Sequence, residues 1–222
     1  MKEGFYINTT KKTLNTTLLD IAIPKDVENL HLPDPSLLQF YKNYDNRILW
    51  IDDEITEMTL EYAKMIMQWN FEDKQNAIPV EDRKPIKIIF FSPGGDLEVN
   101  NCLIDTIQLS TTKIIGINAG VAASSGCFIY LACHERYTFP TAEFLLHKGS
   151  GRFEGTYTDV VAALMNYQRQ ISELGEFVLS RTEIPQDLFE ENFDTDWYLS
   201  ADEAIQYKVA HKVITSLDEV IA

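Results

Sequence analysis

A run of small residues between two apolar segments constrains the fold of this chain more than any other feature. Residues 120–126 read Gly-Val-Ala-Ala-Ser-Ser-Gly, and the largely apolar segments 113–118 and 127–132 flank them. The pattern predicts a buried strand, a tight turn and a helix, and glycine tolerates the torsions that such a turn needs. A serine on such a turn, here Ser124, can be exposed and activated as a nucleophile. Small-residue turns are also common as plain packing features, so other residues must decide between the two interpretations.

Two residues further along the chain could complete a catalytic triad with Ser124. A serine hydroxyl needs a base that takes its proton and a third group that orients this base. His147 follows three apolar residues, which places it at the end of a predicted strand, and Asp196 lies just before a predicted helix. Each residue also has a purely structural interpretation. His147 could be an ordinary histidine at a strand end, and Asp196 could be a loop carboxylate or part of a helix cap.

A glycine-rich loop upstream of the serine could supply hydrogen-bond donors. Ser92-Pro-Gly-Gly95 follows the β-rich segment 86–91. Proline fixes its own φ, and two glycines then permit a loop whose amide N–H groups point outward. Such amides stabilise the negative charge that develops on a carbonyl oxygen, by about 3–4 kcal/mol per donor. We expect the amides of Gly95 and of Ser125 to form this oxyanion hole, although the loop could also be an ordinary turn.

The order of the predicted elements indicates the fold class. Strands are predicted at residues 47–51, 86–91, 114–118, 136–139 and 143–147, and helices at 56–70, 99–109, after Ser124, and at 158–181. Strands that alternate with helices predict an α/β protein with a mostly parallel sheet. Residues 1–45 are predicted to be an N-terminal arm, and residues 46–222 one domain of ordinary size.

Composition excludes several classes of function. The formal net charge of −15 argues against nucleic-acid binding, which needs a basic surface. No apolar run reaches the ~18 residues of a membrane span, and the N-terminus has no secretory pattern. Three scattered cysteines predict a reducing compartment, the cytoplasm. Zinc-ligand spacing and a nucleotide-binding loop are both missing from the sequence, so we expect neither a metal nor a cofactor.

In combination, these motifs resemble the Clp protease proteolytic subunit family, serine peptidases with a crotonase-like fold, over about residues 47–214. The family has Ser-Pro-Gly-Gly after a strand, Gly-x-Ala-Ala-Ser-x-Gly around the nucleophile, and an apolar strand that ends in histidine. It also has an acid before Phe/Tyr-Leu-Ser-Ala-x-Glu-Ala, which is here the segment 198–204. The resemblance implies that Ser124 is the nucleophile, His147 the base and Asp196 the orienting carboxylate, with the Gly95 and Ser125 amides as the oxyanion hole.

The resemblance also implies an architecture and partners. Flanking helices and a protruding strand–helix handle are expected, with the handle formed by the glycine-rich residues after His147 and the long helix up to Arg181. The handle would help two seven-membered rings to stack into a homo-oligomer. An AAA+ ATPase unfoldase would feed unfolded polypeptide substrates into this endopeptidase, and the arm could gate the axial entrance.

Some residues depart from the family pattern. Ser125 stands where the family often has methionine, which leaves two adjacent hydroxyls as candidate nucleophiles. Lys148 and Gly149 replace the usual Gln-Pro after the base, and Lys87 and Ile89 replace aromatic residues that help to form the unfoldase docking pocket. A non-catalytic or latent ring subunit or adaptor therefore remains an alternative. A coenzyme A hydratase or isomerase, or a peptidase that pairs serine with lysine, fits the residues less well.

Overall fold

The computed structural model describes residues 34–221 of the chain. The chain divides into two compact units, residues 1–39 and 40–222. Most of the predicted arm, residues 1–45, lies outside the described residues, so its boundary and its gating role stay predictions.

Seven strands and eight α-helices follow one another along the described residues. The strands are β1 (Ile48–Ile51), β2 (Ile86–Ser92), β3 (Ile114–Ala123), β4 (Glu135–Thr138), β5 (Glu143–Leu146), β6 (Trp197–Ser200) and β7 (Lys212–Val213). The helices are α1 (Pro35–Asp45), α2 (Leu60–Gln75), α3 (Leu97–Leu109), α4 (Ser125–Ala132), α5 (Tyr157–Arg181), α6 (Gln186–Asn192), α7 (Ala201–Gln206) and α8 (Asp218–Ile221). Every helix within residues 34–221 is too short or too polar to span a lipid bilayer.

The strands form one mostly parallel sheet, which confirms the predicted α/β class. β1, β2, β3, β4 and β7 are neighbours in that order, and each adjacent pair is parallel. β3 is long enough to have two successive partners on one edge. Its first half pairs with β4, and its last residues, 121–123, pair with β5. β6 pairs antiparallel with β5. β3 therefore runs directly into the predicted nucleophile turn.

The main hydrophobic core lies between the sheet and its helices. Every residue of α4 is buried, and the helix packs against β3 and α3. Alternate residues of β2, Ile86, Ile88 and Phe90, point into this core, as the period of two in a strand requires. Lys87 and Ile89 lie on the opposite face, where Ile89 joins a second cluster with Val220. Lys87 is buried, and its ammonium group donates a hydrogen bond to the Val220 carbonyl at 2.8 Å.

An ion pair ties α2 to the beginning of β1. The Arg47 guanidinium donates two hydrogen bonds to the Asp73 carboxylate, at 2.6 and 2.7 Å. The hydroxyl of Thr112 donates a third, at 2.7 Å. Asp73 is fully buried, and the Arg47 guanidinium beside it holds the pKa of this carboxyl below its ordinary value.

The helical part of the predicted handle is present as α5. It begins in the predicted capping box, in which Thr156 and Asp159 exchange side-chain-to-backbone hydrogen bonds. Only Leu174, Gly175 and Val178 of this helix are buried, all in its C-terminal half. Residues 147–156, expected to supply the strand of the handle, belong to no strand or helix. A strand needs a ladder of backbone hydrogen bonds to a neighbouring segment, and among the described residues this segment makes one such bond, from the Lys148 N–H to the Phe193 carbonyl.

Candidate active site

Ser124 lies between β3 and α4 in a backbone conformation that side chains rarely adopt. Its φ of 52° and ψ of −126° place a non-glycine residue at positive φ, and such strain is concentrated at functional sites. The Ser124 N–H donates to the Leu145 carbonyl at 2.9 Å, and the Ser124 carbonyl accepts the N–H groups of Cys127 and Phe128. These bonds hold the turn, and the partly exposed side chain lies at the N-terminus of α4.

The glycine-rich loop approaches this turn so closely that it excludes side chains. A Cβ atom on Gly94 would lie 2.6 Å from the Ser124 Cβ and 2.8 Å from the Ala123 carbonyl oxygen. A Cβ on Gly95 would lie 2.2 Å from the Ile55 carbonyl oxygen. Both glycines also have positive φ, 101° and 149°. Gly94 therefore allows the loop to lie against the turn at Ser124, and Gly95 allows the same loop to lie against Ile55.

The pairing of β5 with β6 brings His147 to Asp196. The last pair of this antiparallel ladder is Leu146 opposite Trp197, so the next residues in register are His147 and Asp196. The His147 Nδ1 lies 2.8 Å from the Asp196 Oδ1. Because a carboxylate only accepts, Nδ1 carries the proton and donates it, which leaves Nε2 to accept. The His147 side chain is 25% exposed and that of Asp196 62% exposed.

Lys148 holds the segment that follows His147. In the sequence, this lysine was notable only as a departure from the family pattern. Its ammonium group pairs with the Asp194 carboxylate. Its N–H donates to the Phe193 carbonyl at 3.1 Å, and its carbonyl accepts the Tyr167 hydroxyl at 2.8 Å. The segments that carry His147 and Asp196 are thus joined a second time, beside the His147–Asp196 hydrogen bond. The replacement of Gln-Pro by Lys-Gly indicated in the sequence that this segment is unusual. The sequence did not indicate which residues Lys148 contacts.

A cleft of about 350 Å³ collects the predicted catalytic groups. Ser124, His147, Gly95 and Ser125 all line it, and Asp196 lies behind the imidazole. Within the described residues, the Ser124 hydroxyl makes no hydrogen bond, so the link from serine to His147 is open in this conformation.

The cleft also contains two amide groups that the fold does not use. Ser125 is the first residue of α4, where N–H groups have no partner within the helix. Neither this N–H nor that of Gly95 takes part in the hydrogen bonds of residues 34–221. The Ser125 hydroxyl donates to the Gly95 carbonyl at 2.9 Å. This bond fixes the two amides relative to each other and occupies the Ser125 hydroxyl, whereas the Ser124 hydroxyl has no hydrogen bond within residues 34–221.

Known proteins resemble this chain in sequence and in fold. The sequence profile described as Clp protease matches residues 38–217. ATP-dependent Clp protease proteolytic subunit 2 of Pseudomonas aeruginosa is 33% identical over 143 residues, which cover 61% of this chain and 69% of that protein. Proteolytic subunit 3 of Rhizobium johnstonii is 30% identical over 146 residues, which cover 65% of this chain and 75% of that protein.

A solved structure supports the same assignment at the level of the fold. A point mutant of ClpP1 from Listeria monocytogenes superposes with a TM-score of 0.68 at 22% identity. The superposition covers 81% of this chain and 98% of that one. Sequence and fold therefore agree, and this chain belongs to the Clp protease family, whose relatives are named as proteolytic subunits.

Proposed function

We propose that this chain is a serine endopeptidase that hydrolyses unfolded polypeptides through Ser124, His147 and Asp196. One observation carries the proposal. The 2.8 Å bond between His147 and Asp196 orients an imidazole that shares a cleft with a serine on a strained turn. The three residues come from distant segments of the chain. A purely structural role would not require them to meet at one cleft, beside two amide N–H groups that make no hydrogen bond within residues 34–221.

The reaction would proceed through an acyl-enzyme. His147 Nε2 accepts the Ser124 hydroxyl proton as Oγ attacks the carbonyl carbon of the scissile peptide bond. The carbonyl oxygen gains a negative charge, which the Gly95 and Ser125 amides stabilise by donating hydrogen bonds. The imidazolium then protonates the leaving amine, and the C–N bond breaks. Water, deprotonated by His147, attacks the ester, releases the acid product and returns the proton to Ser124.

The walls of the cleft favour recognition of the peptide backbone. The loop at Gly95 and the segment after His147 both line the cleft that contains Ser124. An extended peptide that pairs with such segments is held mainly by main-chain hydrogen bonds, which depend little on side chains. This mode suits degradation of many different unfolded chains, and access to an enclosed site would then decide which proteins are cleaved.

We further propose the assembly and partners that the resemblance implies. These are two stacked seven-membered rings in the cytoplasm and an AAA+ ATPase that unfolds substrates. The names of both curated relatives contain "ATP-dependent", yet this sequence has no Gly-x-x-x-x-Gly-Lys-Ser/Thr loop. An ATP requirement would therefore belong to a partner.

Labelling with a fluorophosphonate tests the nucleophile. The wild type should be labelled and should cleave short fluorogenic peptides, and Ser124→Ala should lose both properties with its assembly unchanged. Ser125→Ala is the matched control, because it keeps the backbone amide and loses only the hydroxyl that bonds to the Gly95 carbonyl, so it should still be labelled at Ser124. Labelling of Ser124→Ala at the wild-type rate would refute the assignment.

A latent ring subunit is the second candidate, and one observation favours it. The Ser124 hydroxyl does not yet bond to His147 in this conformation. A latent subunit would remain unlabelled as a purified assembly and would become labelled only when a partner closes this gap. Labelling of the isolated wild-type protein would exclude latency.

A further inference from the structure

The peptide group between Gly94 and Gly95 carries one of the two proposed oxyanion donors, and its direction is easy to change. The Gly95 N–H and the Gly94 carbonyl belong to the same planar trans group, so they point in opposite directions. Both residues are glycines at positive φ, and glycine adopts many backbone conformations at little cost. Rotation of this group would replace the N–H by a carbonyl oxygen. A site that stabilises negative charge therefore needs contacts that prevent the rotation.

The segment 53–55, which follows β1, supplies one such contact through its main chain. The Ile55 N–H donates to the Gly94 carbonyl at 2.8 Å, and the Ile55 carbonyl accepts the Asp96 N–H at 2.8 Å. Ile55 thus forms a single parallel bridge with Gly95. Because the Gly94 carbonyl is held on the side of the buried Ile55, the Gly95 N–H points away from it.

Ser92 ties the glycine loop to the same segment. Its hydroxyl donates to the Asp53 carbonyl at 2.6 Å and accepts the Gly94 N–H at 3.2 Å. Ser92 is fully buried. A Cβ on Gly126 would lie 3.3 Å from the Ser92 Cβ, so Ser92 also lies against the first turn of α4. One buried hydroxyl therefore joins two of the chain segments that meet at the proposed oxyanion hole, beside the helix that supplies the second donor.

The hydrogen bonds of the loop leave one donor unused. Within residues 34–221, three of the four main-chain polar groups of Gly94 and Gly95 have partners, which are Ser92, Ile55 and the Ser125 hydroxyl. The Gly95 N–H is the fourth group, and Gly95 lines the cleft that contains Ser124. A fixed donor without a partner in the protein is what an oxyanion hole requires.

We infer that Ser92 is a positioning residue of the proposed active site, which keeps the Gly95 N–H directed at the oxyanion of the tetrahedral intermediate. Ser92 is buried and does not line the cleft, so it acts through the loop and not on the substrate. Its hydroxyl fixes the loop to the segment 53–55, and the Ile55 N–H of that segment fixes the Gly94 carbonyl. The inference rests on the proposed peptidase function and names the residues that direct one of its donors.

The kinetics of Ser92→Ala test this role. Negative charge on the carbonyl oxygen develops only after attack, so kcat for a fluorogenic peptide should fall about tenfold and KM should stay within about twofold. The loss should be smaller than the ~10²–10³ that removal of a whole donor costs, because the N–H remains present.

Thr106→Val is the matched control for this substitution. It also removes a buried hydroxyl that donates to a main-chain carbonyl, that of Cys102 at 2.7 Å, but on α3 and outside the cleft. This variant should keep the wild-type kcat. A merely structural role for Ser92 would lower Tm in both variants and leave kcat of Ser92→Ala at the wild-type value, which would overturn the inference.

A pair of inhibitors separates the oxyanion from the rest of the cleft. When a peptidyl trifluoromethyl ketone binds, Ser124 Oγ forms a bond to the ketone carbon, its proton passes to His147, and the carbonyl electron pair becomes an oxyanion. The matching trifluoromethyl carbinol has no carbonyl group to be attacked. Ser92→Ala should raise the inhibition constant of the ketone about tenfold and leave that of the carbinol unchanged. Equal weakening of both inhibitors would contradict a role in directing the donor.

A change in the segment 53–55 keeps the test independent of whether Ser92→Ala folds. Replacement of Ile55 by its α-hydroxy acid removes the N–H that holds the Gly94 carbonyl and keeps the side chain. This ester variant should show the same selective loss of kcat. Wild-type kcat in both variants would refute the positioning role and leave the peptidase proposal intact. A wild type that neither reacts with fluorophosphonate nor cleaves peptides would refute the peptidase proposal itself, and the inference with it.

Discussion

At the scale of single residues, the candidate site depends on two glycines that have no side chain as well as on the side chains that line the cleft. Gly94 and Gly95 lack the Cβ atoms that would collide with the Ser124 turn and with Ile55. The Ser125 hydroxyl is held by the Gly95 carbonyl. The two adjacent serines therefore differ in the hydrogen bonds of their hydroxyl groups, although the sequence alone presents these hydroxyls as equivalent.

The role of Asp196 can be tested against a neighbouring carboxylate. Asp196→Asn should lower the acylation rate by about 10⁴, because an amide no longer selects the imidazole tautomer with a free Nε2. Asp194→Asn is the control, since it removes an exposed pair with Lys148 and such pairs contribute at most about 1 kcal/mol. The measurement is the rate of fluorophosphonate labelling. Similar rates in the two variants would remove Asp196 from the mechanism.

At the scale of elements, strand register decides where the site forms. His147 and Asp196 are 49 residues apart in sequence. His147 directly follows β5 and Asp196 directly precedes β6, and both strands have four residues. A shift of one residue between β5 and β6 would turn the side chains to opposite faces. The position of the proposed catalytic pair therefore depends on the register of the antiparallel ladder between β5 and β6.

The link between α2 and β1 predicts how stability depends on pH. Because the folded pKa of Asp73 is lowered by Arg47 and by the Thr112 hydroxyl, its carboxylate contributes fully above the unfolded pKa of about 3.9. This contribution is lost as the pH falls through the lower folded pKa. Asp73→Asn should lower the free energy of unfolding by about 3 kcal/mol at pH 7. Below pH 4, the stability of this variant should fall less steeply with pH than that of the wild type.

Urea unfolding followed by circular dichroism between pH 2 and 8 measures this effect. Glu61→Gln on the same helix is the control, because its pair with Lys64 is exposed and should contribute less than about 1 kcal/mol. Equal losses in the two variants, or a parallel pH dependence for wild type and Asp73→Asn, would contradict the assignment to Asp73.

At the scale of the whole molecule, α5 exposes apolar side chains that residues 34–221 of the same chain do not cover. Tyr157 is 85% exposed, Met165 65% and Leu164 42%. Leu164→Glu together with Met165→Glu should therefore weaken a contact between copies and shift the assembly to smaller species. Native mass spectrometry measures this, with a subunit mass of 25.4 kDa as the reference. Asn166→Glu adds charge to the same helix and should leave the assembly intact; a monomeric wild type would contradict the proposed rings.

Much of the molecule could be predicted from the sequence, because local pattern and motif spacing carry that information. The alternation of strands and helices and the turn at Ser124 follow from local hydrophobic periodicity and small residues. α5 begins and ends within a residue of its predicted bounds because its capping box and apolar stripe are local signals. β6 and β7 were missed, since strands of four and two residues carry little periodicity. β3 continues past its predicted end through small residues. α2 begins at Leu60 instead of Thr56 and ends at Gln75 instead of Asn70, because polar residues continue the helix beyond its apolar stripe.

The amino-acid sequence by itself determined the fold class, the family and the residues that could carry out hydrolysis, since these depend on residue identity and spacing along the chain. Only the tertiary structure decided that His147 meets Asp196 and that the Ser125 hydroxyl is occupied by the Gly95 carbonyl. Contacts between distant segments depend on strand register and helix packing, and these are set by the packed core as a whole and not by any local segment.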